Sequence, residues 1–170
     1  MFDPTVFDNL KVIAEGAIYD KDLDGDICVI NRSDCVDLAT MSRAYHISFR
    51  LPTDTTQAKL LLTVDAQNLV GEILEQQAMP GCRLELTFTC KLSSVAVCEN
   101  IQALVEKIWG RERMIVQQIS YEYKQPVYTN EISVAFQKHI TEDHADDLSI
   151  VVEYMITTLH TLKDILGNQR

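Results

Sequence analysis

Between Thr141 and Gly167 the residues Leu148, Val151, Val152, Met155, Ile156, Leu159, Leu162 and Leu166 fall on one side of a helical wheel, each three or four residues from a neighbour. An α-helix turns once in about 3.6 residues, so this spacing predicts one apolar stripe. Asp146, Ser149, Glu153, Thr157, His160, Lys163 and Asp164 fill the other side. Thr141 suits the N-cap, Glu142 and Asp143 suit the positive end of the helix dipole, and Gly167 suits the position after the last turn. A helix with one apolar stripe must cover a surface. The strands upstream can supply it.

Arg83 to Leu92 alternates most strictly, with Leu84, Leu86, Phe88, Cys90 and Leu92 set against Arg83, Glu85, Thr87, Thr89 and Lys91. One packed face and one wet face suit a one-sided antiparallel sheet. Ala44 to Leu51, Lys59 to Val64, Ile115 to Tyr123 and Tyr128 to Phe136 also read as strands. Leu10, Val12, Ala14, Gly16 and Ile18 alternate with Lys11, Ile13, Glu15, Ala17 and Tyr19, which predicts a further strand. Asp24-Gly25 then predicts a hairpin turn, with Ile27 to Ile30 returning from it. Asn31 to Asp34 reads as a turn, and Cys35 to Ser42 as a short helix or a loop. Asp65 caps a helix with Ala66, Leu69, Val70, Ile73 and Leu74 at amphipathic spacing. Ser93 or Ser94 caps another with Val97, Ile101, Leu104, Val105 and Ile108 inward, stopped by Gly110.

These elements give the order ββββ-α-β-α-ββ-α. The expectation is one α+β domain over residues 1–170. It is a largely antiparallel sheet of six or seven strands with three helices, the long C-terminal helix packed across one face. The segment after residue 82 has the strand-helix-strand-strand-helix order seen in ferredoxin-like units. Small acidic secretion-chaperone-like proteins are similar in their helix-over-sheet order; no motif in this chain carries that likeness further.

The chain has 170 residues, 46% hydrophobic and 24% charged, which is the composition of a folded globule. Its formal net charge is -10. Nucleic acids and anionic membranes need a basic face, so neither is an expected partner. The charge is uneven: residues 1–40 hold nine acids against three bases, whereas residues 81–125 hold five against six. Met1 to Pro4 lacks the basic and apolar regions of a signal peptide, and no apolar run is long enough to span a membrane. The five cysteines, Cys28, Cys35, Cys82, Cys90 and Cys98, are odd in number and include no C-x-x-C pair. Reduced thiols in a cytoplasmic protein are the expectation.

Two clusters could hold a metal. Asp20, Asp22 and Asp24 stand at positions 1, 3 and 5 of a calcium-loop pattern, followed by Gly25 at 6, Asp26 at 7 and Ile27 at 8. Position 12 is Asn31, where such a loop needs a bidentate Glu, so an acidic hairpin is the favoured reading. Asp143, His144 and Asp147 can share a helix face, but an acid-rich first helical turn accounts for them more simply. No G-x-S-x-G, phosphate loop or H-E-x-x-H is present, and no cofactor is expected. Lys107, Arg111 and Arg113 beside Trp109 make one local basic patch, as expected after a helix C-terminus.

The function these features favour is a non-enzymatic protein-interaction or regulatory module, its partner another protein or a second copy of the chain. One alternative is a small enzyme or ligand-binding domain whose site is assembled from long-range contacts. Another is a calcium-dependent binding module using the Asp20–Asp26 loop.

Overall fold

The computed structural model describes residues 5–76 and 80–168. The segment Met1 to Pro4, read above for a leader, lies outside the described residues. Among the described residues six strands form one antiparallel sheet: β1 (Cys28–Asp37), β2 (Ser42–Arg50), β3 (Gln57–Val64), β4 (Arg83–Leu92), β5 (Met114–Tyr121) and β6 (Tyr128–Ala135). Their spatial order is β1-β2-β3-β4-β6-β5, so the chain crosses over β6 between β4 and β5. Four α-helices among the described residues accompany them: α1 (Val6–Leu23), α2 (Ala66–Ile73), α3 (Cys98–Trp109) and α4 (Asp147–Gly167).

The two-residue period places the core. Tyr45, Ile47 and Phe49 of β2, Ala58, Leu60, Leu62 and Val64 of β3, and Leu84, Leu86, Phe88, Cys90 and Leu92 of β4 are all buried. Ile132 and Val134 of β6 continue the same layer. The helices α1, α4 and α3 lie over that face, with α4 touching both of the others. Leu148, Val152, Met155, Leu159 and Leu162 of α4 are buried, so its stripe closes the core as expected. The helix begins six residues later than its expected cap. Thr141 instead starts a separate helical turn, Glu142–His144, and Gly167 is the last helical residue.

The largest correction falls on residues 10–30. Leu10 to Tyr19 is not a strand but the middle of α1. Phe7, Leu10, Ala14 and Ile18 are its buried face, and Val12 is 64% exposed. Thr5 caps this helix, its hydroxyl accepting from the Asp8 N–H and donating to the Asp8 carboxylate. Asp24-Gly25 is accordingly no hairpin turn. Gly25 has φ 82° just past the helix end, the Gly25 N–H donates to Asp22 O at 3.1 Å, and the Asp26 N–H donates to Lys21 O at 3.0 Å. That pairing is a Schellman C-cap, which uses glycine for the same reason a tight turn does. Asn31 to Asp34 also differs from expectation, forming the middle of β1 rather than a turn.

An ion network fastens α1 to the β1–β2 edge. Arg43 donates to Asp34 at 2.8 and 3.0 Å and to Asp8 at 2.7 Å, while its guanidinium lies 4.6 Å from the Phe7 ring centre. Lys11 reaches Asp34 at 2.7 Å, and Arg32 pairs with Glu15. The hydrogen bonds from Arg43 are the main reason the Asp34 carboxyl is held down to about 2. Among the described residues no helix is long and apolar enough to cross a membrane.

Candidate functional site

The acids of the calcium-like segment lie at and just past the C-terminal end of α1. Asp20 and Asp22 belong to the last turns of α1, Asp24 is its C-cap, and Asp26 follows Gly25. Asp22 Oδ1 accepts from the Val29 N–H at 3.0 Å, which ties the helix end to β1. Asp26 lies 3.8 Å from Lys21, and Lys21 also meets Glu153 of α4 at 2.8 Å. In the second cluster, Asp143 and His144 sit in the turn Glu142–His144, and Asp147 opens α4. The Thr141 N–H donates to His144 Nδ1 at 3.1 Å, which turns the imidazole back on its own cap. Among the described residues no group of three or more His, Cys, Asp or Glu side chains is placed to hold a metal ion.

A different region forms a recess. The C-terminal end of α3, the turn into β5, the segment after β6 and the first turns of α4 enclose a groove of about 500 Å³. Its apolar wall is Ile108, Trp109, Phe136, Leu148, Val151 and Tyr154. Trp109 is 7% exposed and organises the wall. Its ring lies edge-on to Phe136 at 6.3 Å and to Tyr154 at 5.8 Å, and tilted to Phe88 at 6.4 Å. Edge-on pairs of this kind add attraction beyond the area they bury. The Trp109 Nε1–H donates to Thr158 Oγ1 at 3.0 Å, so the indole is anchored on α4.

The turn that follows Trp109 sets the charged rim. Gly110 has φ 88° and ψ 150°, a backbone region that essentially only glycine occupies. This bend reverses the chain within four residues, bringing Glu112 and Arg113 to the mouth of the groove. The Arg113 guanidinium stacks over the Phe136 ring at 4.4 Å. Its Nε is buried and has no hydrogen-bond acceptor among the described residues. Lys138, His139 and His144 border the same space, with Glu112 and Asp147 as the acids. Ile150 at 52% and Tyr154 at 47% stay exposed beside it.

The basic patch of Lys107, Arg111 and Arg113 thus divides. Arg111 is exposed, with a 3.9 Å approach to Glu106, while Arg113 turns into the groove. Phe136 and Tyr154 meet the Trp109 ring only through the fold. The lone tryptophan beside an arginine was the one local sign of the site.

No cysteine lines the groove. All five are free. Cys82 and Cys90 are buried, and that burial pushes each thiol up to about 12. Neither family models, nor curated proteins, nor solved structures match this chain.

Proposed function

We propose that the protein is a non-enzymatic recognition module that seats an apolar side chain of a partner protein in the groove at Trp109. The observation that carries this reading is the Arg113 Nε, buried over Phe136 with no acceptor among the described residues. Protein interiors rarely leave such a donor unpaired, and a bound acceptor would satisfy it. The groove around it is aromatic, and tryptophan, tyrosine and arginine are the residues that most often dominate binding surfaces. The natural occupant is an apolar side chain with a carboxylate beside it. An acidic surface with net charge -10 disfavours nucleic acid as the partner. Five free thiols suit work in a reducing compartment such as the cytoplasm.

Trp109 is the one tryptophan, so its emission reports on the groove directly. Titration with the blocked dipeptide acetyl-Phe-Glu-amide should change that emission saturably in the millimolar range. The Gln analogue should bind more weakly, and Arg113→Gln should remove the preference. No saturable response to either peptide would overturn the reading. The groove volume also lies in the range of about 300–1,000 Å³ typical of small-molecule sites, which favours a small aromatic carboxylate as the second reading. Phenylpropionate binding far more tightly than the dipeptide would select it.

A further inference from the structure

The sheet has two free edges, and they are built differently. On β1 the register with β2 shifts between Val29 and Asn31, and Arg32, Asp34 and Asp37 carry charge along the strand. Bulges and charges are how natural sheets keep an edge from pairing with other chains. β5 has neither. Its sequence Met114–Tyr121 contains no charged residue and no proline. Its pairing with β6 runs without a shift from Met114↔Ala135 to Tyr121↔Tyr128. Met114, Val116 and Tyr121 are 56%, 49% and 69% exposed. A regular, uncharged, β-prone edge of eight residues left open to water is an aggregation hazard unless something covers it.

We propose that the free edge of β5 pairs antiparallel with the same edge of a second copy, joining two six-stranded sheets across a twofold axis. The charge distribution singles out a second copy as the occupant. A twofold interface sets a patch against the same patch of the other copy, so a patch with a net charge meets a net charge of its own sign. Two chains of net charge -10 repel through most of their surfaces. Residues 81–125 hold five acids and six bases, and β5 lies within that nearly neutral stretch with no charge of its own. The least repulsive approach between copies therefore coincides with the unprotected edge. Main-chain hydrogen bonds along the strand supply the attraction, as they do wherever a strand is added to a sheet edge. This surface is separate from the Trp109 groove, and the pairing does not depend on what the groove binds.

The test is the molar mass of the full chain by light scattering across micromolar concentrations. The wild type should approach twice the chain mass. Val116→Lys with Gln118→Lys places like charges at the pairing edge on exposed side chains, so the fold survives and the mass should halve. Val116→Glu with Gln118→Glu should do the same. An equimolar mixture of the two variants should recover the doubled mass. Asn31→Lys with Cys35→Lys on β1 should leave the wild-type mass unchanged. A wild type of single-chain mass throughout, a lysine variant that stays double, or a mixture that stays single would each overturn the pairing. Circular dichroism and Trp109 emission show whether each variant is folded.

Discussion

Trp109 on α3 and Thr158 on α4 are joined by one hydrogen bond, 3.0 Å from indole Nε1 to hydroxyl oxygen, in a place where water does not reach. Thr158 is fully buried, and its own hydroxyl donates to Tyr154 O at 2.7 Å. One side chain therefore satisfies the indole and draws on the helix turn that carries Tyr154, the other aromatic at the groove. Thr158→Val keeps the shape and removes the acceptor. A buried donor left unpaired costs about 1–3 kcal/mol, so urea unfolding followed by tryptophan emission should show a loss of that size. Thr158→Ser should recover most of it.

Asp34 gives the edge ion network a pH dependence. Its carboxyl is held at about 2 in the fold, chiefly by hydrogen bonds from Arg43, against 3.8 for an ordinary aspartate. A depressed carboxyl contributes stability above its unfolded value and loses it as pH falls through the folded one. Asp34 is partly exposed, so solvent screening limits the contribution to about 1 kcal/mol. The difference in urea midpoint between wild type and Asp34→Asn should be full at neutral pH and shrink steadily below about pH 4. A difference that grows on acidification would contradict the network.

Leu159 sits at the middle of the α4 stripe and is 0% exposed. Leu159→Asp must bury an unpaired carboxylate, neutralise it or expose the stripe, each at several kcal/mol. Ordinary domains hold only about 5–15 kcal/mol in all, so this variant should be molten or insoluble. Glu153→Ala removes only a 2.8 Å surface pair with Lys21 and should change stability by less than about 1 kcal/mol. A folded, soluble Leu159→Asp would place the stripe at an interface instead of the core.

The cysteines should alkylate in the order of their exposure. Cys35 is exposed, whereas Cys82 and Cys90 are buried with thiols pushed up to about 12. Iodoacetamide on the native protein should label Cys35 first and Cys82 and Cys90 last, and unfolding without reductant should yield five labelled thiols. Mass spectrometry of timed samples decides it.

Calcium should not stabilise the fold. The carboxylates from Asp20 to Asp26 end a helix, where Asp22 and Asp26 already have backbone or lysine partners. Thermal melts in millimolar calcium and in chelator should coincide. A site of micromolar affinity would add a few kcal/mol at that concentration and separate them.

Strands β2, β3, β4, β5 and β6 and the stripe of α4 were legible in the chain itself. Where one face of a segment meets a core and the other meets water, apolar residues must recur with the period of the local backbone. Leu84 to Leu92 admits only a period of two, and Leu148 to Leu162 only the helical one. Residues 7–18 admit both. Leu10, Ala14 and Ile18 are four apart, which places them together on a strand and also on a helix. The Thr5–Asp8 cap was the local sign of a helix, and contact with α4 and the sheet confirms its buried face. Gly25 was similarly ambiguous, since positive φ serves a hairpin and a helix end alike. The groove could not be read at all beyond Trp109 and Arg113. Phe136 and Tyr154 lie tens of residues away in sequence, and no local periodicity records which side chains a crossover and a helix packing will bring against one indole. Local pattern fixed what β2, β3, β4 and α4 bury; only the assembled sheet and helices decided what they are buried against.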